Sequence, residues 1–236
     1  MTPELFKLLK SVDTPTVCNA IEVAQGKRGF SDFTRGTMLS SDVTSGAIVG
    51  YARTAQIAAL APPEEPKDVI RARRMAYYKH MSTPSEAEFE VPTIAVVEDI
   101  DYPNAIGAYW GEVNTNIHKA FGMAGALTNG VMRDLDDLAD DFTVIAGSIG
   151  PSHGFVHVKT IAEPVEIFSM KVNDNDLIHA DRHGAVVVPN SVIDTLEAAI
   201  NTLLETENIV LKPTRGKRIT YQEFEDIWQK FEASRT

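Results

Sequence analysis

Apolar residues recur at helical spacing near both ends of the chain. Residues 2–11 carry leucines on one face of a predicted helix, and a second helix begins at Thr14, where the following proline suits a first helical turn. The same spacing marks a closing helix over residues 191–206 and a tail helix over residues 221–234. The pattern therefore predicts two helices before the central region and two after it.

The central region alternates between short apolar runs and amphipathic stretches. The run GAIVGYARTAQIAA over residues 46–59 predicts paired strands with a bend at Gly50. Residues 111–150 then predict a helix, a strand, a turn with a helix within residues 131–141, and a strand. Short runs over residues 163–189 predict antiparallel hairpins that form a second, smaller sheet layer. This alternation is typical of an α/β domain.

The composition restricts the partners of the protein. With 44% hydrophobic and 23% charged residues among 236, the chain has the composition of an ordinary globular protein with a sizeable core. Its net charge of -11 repels nucleic acid and anionic lipid, so we expect neither nucleic acid nor a membrane as a partner. A binding site for an anion in this negative field requires a local cation, either a metal ion or a buried arginine.

Cysteine usage and apolar run length indicate a compartment. Cys18 is the only cysteine, which excludes an internal disulfide, and the first residues lack the features of a secretory signal. The longest apolar runs fall well short of the about 20 residues that a membrane span needs. We therefore expect a cytoplasmic protein.

Two central segments carry candidate chemistry. The helix that starts close to Glu112 or Asn114 leaves backbone N–H groups able to bind a carboxylate. After the next strand, Gly130 leads to Arg133 and Asp134, a position where α/β sheets commonly bind ligands. Arginine binds a carboxylate or an oxo oxygen, and aspartate binds a hard divalent cation. The competing interpretation is a surface ion pair near a helix start.

These residues also have the spacing of a known family. Glu112 is followed by twenty residues and then Arg133-Asp134, and further matches lie in IVGYART, WGEV, GALTNGVMRD and NDLIHADRHGAVVVP. Together they span most of residues 14–205 and resemble the family of the regulator of ribonuclease E activity A and the 4-hydroxy-4-methyl-2-oxoglutarate aldolases. Those aldolases usually have Asp as the first acid and Ile-Asp-Gly at residues 128–130, where this chain has Thr-Asn-Gly.

The resemblance implies a fold and an assembly. The fold would be α/β, a swivelling three-layer β/β/α domain of the RraA-like type over residues 1–207, with an extra C-terminal helical tail over residues 208–236. The chain would form a homotrimer or homohexamer with sites between subunits. In the family a glutamate of the neighbouring subunit completes the site, and Glu205 or Glu207 is the candidate here.

The resemblance also implies an enzyme, a metal-dependent carbon–carbon lyase of the pyruvate-aldolase type that uses Mg²⁺ or Mn²⁺. Asp134 would ligate the metal, Glu112 would hold metal-bound water, and Arg133 would bind the substrate's oxo or carboxylate oxygen. The substrate's carboxylate would be received by the backbone amides of Val113, Asn114 and Thr115. The metal and Arg133 would stabilise a pyruvate enolate during retro-aldol cleavage of 4-hydroxy-4-methyl-2-oxoglutarate or decarboxylation of oxaloacetate.

Other interpretations stay open. His153 and His157, like His179 and His183, are four residues apart as in some zinc sites, but their segments predict strands and turns instead of a helix. His118 follows Glu112 on the predicted helix, where either the site or the helix surface would accommodate it. A non-catalytic regulatory protein of the ribonuclease E inhibitor type is the alternative to a lyase.

Overall fold

The computed structural model describes residues 1–234. The helices of this part of the chain are α1 (Pro3–Ser11), α2 (Thr14–Gln25), α3 (Lys67–Met81), α4 (Glu112–Ala120), α5 (Ile193–Thr214) and α6 (Tyr221–Ala233), with a 3₁₀ turn at Asn190–Val192. The strands are β1 (Leu39–Ser40), β2 (Ile48–Ala58), β3 (Thr93–Asp99), β4 (Ala108–Trp110), β5 (Gly125–Thr128), β6 (Val131–Met132), β7 (Thr143–Ala146), β8 (Ser148–Ile149), β9 (His157–Ile161), β10 (Val165–Ile167), β11 (Met170–Val172), β12 (Leu177–Asp181) and β13 (Gly184–Val188).

Side-chain caps fix the starts of the first two helices. The Thr2 hydroxyl accepts from the Leu5 N–H, and the Asp13 carboxylate accepts from the Thr16 N–H. Each bond satisfies a backbone donor that has no partner inside its own helix. The two predicted N-terminal helices are therefore confirmed.

The large sheet contains eight strands. Seven follow the order β1-β7-β5-β3-β2-β12-β13, and β9 pairs with β2 at the side of this path. Strands β2, β3, β5 and β7 are parallel neighbours, so their carboxyl ends share one edge of the sheet. Ligands commonly bind at such an edge.

Strand β2 corrects the prediction of paired strands over residues 46–59. It is one strand of 11 residues because it pairs along its length with β3 and, on its other side, with β12 and β9. Gly50 is not a bend between two strands. A Cβ there would collide with the Pro92 carbonyl oxygen, so the close approach requires glycine.

Alternate residues of β3 show how the layers stack. Ala95 and Val97 belong to the core beneath α3, whereas Ile94 and Val96 pack with the β10–β11 hairpin. Helices α1, α2 and α5 cover the same face of the large sheet as α3, around β12 and β13. The fold is therefore a three-layer β/β/α arrangement of the RraA-like type, as predicted.

The second sheet layer is smaller than the sequence predicts. Only β10 and β11 form it, whereas β12 and β13 join the large sheet, where β12 pairs with β2. A three-stranded sheet, β4-β6-β8, lies beside the large one. Pairing with β2 decides the place of β12 because it satisfies the backbone groups on that side of the strand.

The helix predicted within residues 131–141 is absent. Val131 and Met132 form β6, and turns follow. The Arg133 N–H donates to the Trp110 carbonyl at 2.8 Å, and Asp134 then adopts a left-handed conformation with φ 53°. The positive φ interrupts a helix at Asp134, because right-handed helices exclude positive φ.

The first of the two C-terminal helices is longer than the sequence predicts. Helix α5 runs to Thr214, beyond the predicted end at residue 206, so the 207/208 domain boundary falls inside one helix. Helix α6 follows the prediction closely and packs on α5. Residues 235–236 of the predicted tail lie outside the described residues. None of the helices within residues 1–234 has the length and apolarity of a membrane span.

Candidate active site

The start of α4 forms one side of the candidate site. The Thr115 N–H donates to the Gly111 carbonyl at 3.0 Å, and the Thr115 hydroxyl donates to the same oxygen at 3.0 Å. The amides of Val113 and Asn114 precede Thr115, the first residue whose N–H reaches a carbonyl one turn back. The helix start therefore offers the Val113 and Asn114 amides to an anion, while the Thr115 amide is already bonded.

Arg133 and Asp134 form the opposite side. Asp134 Oδ2 accepts from the Glu112 backbone N–H at 3.2 Å and lies 3.6 Å from Arg133 Nε. The Arg133 and Asp134 side chains are 34% and 31% exposed, so both remain accessible to a ligand. Glu112 and the adjacent pair Arg133-Asp134, more than 20 positions away in the chain, thus meet at one helix start.

Gly111 makes this approach possible. A Cβ on residue 111 would lie 2.5 Å from Asp134 Oδ2 and 3.0 Å from Arg133 Nε, so the carboxylate would have to move away. Its backbone is extended, with φ -140°, so the requirement for glycine is steric and not conformational. Sequence reasoning missed this role, although Gly111 lies in the quoted WGEV motif.

Arg133 has an unsatisfied donor. Its Nε atom is buried and has no hydrogen-bond partner within residues 1–234, because Asp134 Oδ2 at 3.6 Å is beyond hydrogen-bonding distance. A buried donor without a partner costs about 1–3 kcal/mol.

The donor set fits a hard divalent cation only in part. Glu112 and Asp134 supply carboxylate oxygens, which Mg²⁺ and Mn²⁺ prefer. Within residues 1–234, no group of three His, Cys, Asp or Glu residues is arranged to hold a metal. Glu205 and Glu207 lie on α5, which packs on α1, α2 and α6. A complete metal shell would therefore draw ligands from water, substrate or a second subunit.

The inner face of α4 anchors the site. His118 is fully buried; its Nδ1–H donates to the Asn114 carbonyl at 2.6 Å, and its Nε2 accepts from the Tyr77 hydroxyl at 2.7 Å. Burial lowers the pKa of His118 to about 4, so the ring is neutral at pH 7. His118 therefore lies neither in the site nor on the helix surface, which corrects both positions offered by the sequence.

The Asn114 side chain is also used inside the protein. Its Nδ2 donates to the Tyr109 carbonyl at 2.7 Å, and its Oδ1 accepts from the Tyr78 hydroxyl at 3.0 Å. Asn114 can therefore offer only its backbone amide to a substrate, as the sequence interpretation requires. The fixed side chain holds that amide in place.

The second histidine pair has structural contacts. His179 is buried between α1 and α2, where its Nε2–H donates to the Leu9 carbonyl at 2.9 Å and its Nδ1 accepts from the Thr14 hydroxyl at 3.0 Å. His183 contacts the Asp181 carboxylate at 3.1 Å. The two His179 bonds join the N-terminal helices to the sheet.

The layered fold is that of the class of proteins called Aldolase/RraA. Residues 14–187 match the family model for RraA-like proteins, and the chain belongs to this RraA-like family. The family includes both 4-hydroxy-4-methyl-2-oxoglutarate aldolases and ribonuclease E inhibitors. Among curated proteins, none matches this chain.

Solved structures share the fold. An uncharacterized protein from Pseudomonas syringae pv. tomato is 19% identical with a TM-score of 0.65, and the match covers 100% of this chain and 94% of that one. Streptomyces coelicolor RraAS2, described as an unusual member of the RNase ES inhibitor RraA protein family, is 19% identical with a TM-score of 0.63, over 92% and 98% of the two chains. At this identity the likeness concerns the fold alone.

Proposed function

We propose that the chain is a divalent-metal-dependent lyase of the pyruvate-aldolase type that acts on a small anionic 2-oxo acid. The supporting observation is the convergence at the start of α4, where Asp134 Oδ2 lies 3.2 Å from the Glu112 amide and 3.6 Å from Arg133 Nε. The proposed substrates are 4-hydroxy-4-methyl-2-oxoglutarate and oxaloacetate, because cleavage of either at the same carbon releases pyruvate.

The chain's own groups would bind and orient the pyruvyl part. The amides of Val113 and Asn114 would accept its carboxylate at the positive end of the α4 dipole. The Arg133 guanidinium would donate to the 2-oxo oxygen, where negative charge develops when the carbon–carbon bond breaks. The Arg133 side chain is 34% exposed, which leaves it accessible to a substrate oxygen.

Glu112 and Asp134 would hold the metal, Mg²⁺ or Mn²⁺. When bound, the metal would supply positive charge that stabilises the developing oxyanion. Glu112 is exposed beside the substrate position, where its carboxylate would orient the water that exchanges protons with the substrate. Asp134 Oδ2 is held by the Glu112 amide, which would leave Oδ1 for the metal.

The proposed assembly is a cytoplasmic homotrimer or homohexamer. Glu112 and Asp134 would leave the rest of the metal shell to water, substrate or a second subunit, and a glutamate of a partner subunit would add one further oxygen. Glu205 and Glu207 on α5 are the proposed donors to a neighbouring site.

A regulatory binding protein is the second candidate. The net charge of -11 would suit a surface that binds a basic partner, and the family includes ribonuclease E inhibitors. Such a protein would bind its partner without turning over a 2-oxo acid, so turnover separates the two candidates.

The test is pyruvate release coupled to lactate dehydrogenase, with each substrate in the presence of Mg²⁺, Mn²⁺ or a chelator. Reactions with metal but no protein serve as blanks, because free metal ions also decarboxylate oxaloacetate. The proposal expects metal-dependent release above the blank. No release from either substrate would favour the regulatory candidate, and equal release with chelator would contradict metal dependence.

A further inference from the structure

A cavity lies at the carboxyl edge of the large sheet. It has a volume of about 390 Å³, within the range of small-molecule sites. Its wall includes Arg35, Glu98, Asp99, Tyr102, Glu166 and Phe168. Glu112, Arg133 and Asp134 do not contribute to the wall, so this cavity is separate from the candidate active site.

Asp99 is the most unusual group in this wall. It is fully buried, and its Oδ1 accepts from the Asp101 N–H at 3.0 Å, but its Oδ2 has no hydrogen-bond partner within residues 1–234. Asn129 fixes its backbone, accepting from the Asp99 N–H at 2.7 Å and donating to the Asp99 carbonyl at 3.2 Å. Asp99 is therefore a rigidly held acceptor that lacks a donor.

The charges in the cavity wall indicate that the ligand which supplies the missing hydrogen-bond donor is a cation. Three carboxylates, on Glu98, Asp99 and Glu166, face one guanidinium, on Arg35. Burial, together with the neighbouring Asp101 and Glu98 charges, raises the pKa of Asp99 to about 6. A cationic ligand would supply both the counter-charge and the hydrogen-bond donor.

An organic cation fits better than a metal ion. Glu98 Oε2 is held by the Gln56 side chain at 2.8 Å and by the Glu166 N–H at 3.1 Å, so it is not free to turn toward a shared centre. No triad in residues 1–234 is arranged for metal binding. The Tyr102 and Phe168 rings, 5.1 Å apart edge to face, add an aromatic wall suited to an alkyl chain or an ammonium group.

We propose that this cavity binds a small molecule with a protonated primary amine, whose ammonium group donates to Asp99 Oδ2. Arg35 lines the same cavity. It would make a second ionic contact with amines that also carry a carboxylate. The inference is independent of the proposed lyase activity, because no residue is shared between the two sites.

Isothermal titration calorimetry with the full chain tests the proposal. The probes are n-butylamine, 4-aminobutyrate and butyrate, which differ in their ammonium and carboxylate groups. At pH 7.5 both amines bind saturably and butyrate does not. Asp99→Asn weakens amine binding by about tenfold or more, because the removed charge is buried. Glu163→Gln, an exposed carboxylate outside the cavity, leaves binding unchanged.

Further variants test the role of each charged residue in the cavity wall. Arg35→Gln removes any advantage of 4-aminobutyrate over n-butylamine but retains butylamine binding. If Asp99→Asn does not fold, judged by circular dichroism, Glu166→Gln at the exposed part of the wall weakens amine binding instead. Absence of saturable amine binding, equal binding by Asp99→Asn, or Asp99-dependent binding of Mg²⁺ alone overturns the proposal.

The pH dependence provides an independent check. Asp99 takes up a proton as the pH falls through about 6, so butylamine affinity falls by about tenfold between pH 7.5 and pH 5. The other charged or titratable groups facing Asp99 are Glu98, Asp101, Glu166, Arg35 and Tyr102. The Asp99→Asn variant loses most of this pH dependence if Asp99 is responsible, whereas an unchanged profile contradicts that assignment.

Discussion

Asp134 Oδ2 accepts a hydrogen bond from the backbone N–H of Glu112 at 3.2 Å, although the two residues are 22 positions apart in the chain. The bond joins the loop after β6 to the first residue of α4. It also occupies one of the donors at the helix start, so Asp134 lies at the positive end of the helix dipole. Any change that moves the loop therefore moves the Asp134 carboxylate relative to the backbone amides of Val113 and Asn114.

Gly111→Ala tests that geometry without removing a functional group. The new methyl group would lie 2.5 Å from Asp134 Oδ2 and displace the Arg133–Asp134 pair. We expect kcat/KM for pyruvate release to fall by about 100-fold, as displacements near 1 Å can produce. Gly46→Ala is the control, because its Cβ would meet only the Lys10 carbonyl at 3.5 Å, an ordinary contact. Wild-type activity in Gly111→Ala would disprove the steric role of the glycine.

Tyr77→Phe tests the anchor beneath α4. The change removes the hydroxyl that donates to His118 Nε2 at 2.7 Å and leaves a buried acceptor unsatisfied. We expect the free energy of unfolding to fall by about 1–3 kcal/mol, measured by urea denaturation. Tyr221→Phe, at a position that is 74% exposed, should change it by less than about 0.5 kcal/mol. Equal effects of the two variants would contradict the anchoring role.

His118 also predicts a pH dependence of stability. Its folded pKa is lowered to about 4 from 6.5 by burial, so the unfolded chain takes up the proton first as the pH falls. The stability from the neutral ring is complete above pH 6.5 and is lost progressively as the pH falls from 6.5 through 4, by about 3 kcal/mol.

Urea denaturation between pH 7.5 and 4 measures this loss. The His118→Gln variant should lack this component of the decline, although it starts from lower stability. His153→Gln, at an exposed position, should keep the wild-type profile. An identical slope for His118→Gln and the wild type would show that another group titrates.

The helices were predictable because their signals are local. Thr2 and Asp13 cap α1 and α2 within three residues, and apolar spacing marks the faces that pack. The tail helix α6 has a capping box formed by Thr220 and Glu223. Such signals are complete within a few residues of sequence.

Contacts between distant segments explain the errors. Residues 131–141 include good helix formers, but the bond from Arg133 to Trp110 draws their start into a small sheet. Strand β12 joins the large sheet by pairing with β2, more than 100 positions away. The local pattern of apolar and polar residues cannot distinguish these outcomes, because the decisive hydrogen bonds are made with residues far away in the sequence.

The site was predictable in part, because residue types and their spacing can be read from the sequence but close packing cannot. Glu112, Arg133 and Asp134 were selected by residue type and by a family spacing, and the structure brings them together. The close packing at Gly111 and the unsatisfied oxygen of Asp99 depend on neighbours that the sequence does not identify. Asp99 is also the last residue of β3, where it resembles an ordinary strand-ending acid.

The most direct test of the proposed lyase compares Arg133→Lys and Asp134→Asn with the wild type in metal-dependent pyruvate release from 4-hydroxy-4-methyl-2-oxoglutarate. Asp140→Asn, an exposed acid on the same loop, is the matched control. Calorimetric titration with Mn²⁺ gives a second readout, in which Asp134→Asn loses metal binding and Arg133→Lys keeps it. The account predicts at least about 100-fold lower release in both site variants and normal release in the control. Metal-dependent release that persists in Asp134→Asn would contradict it.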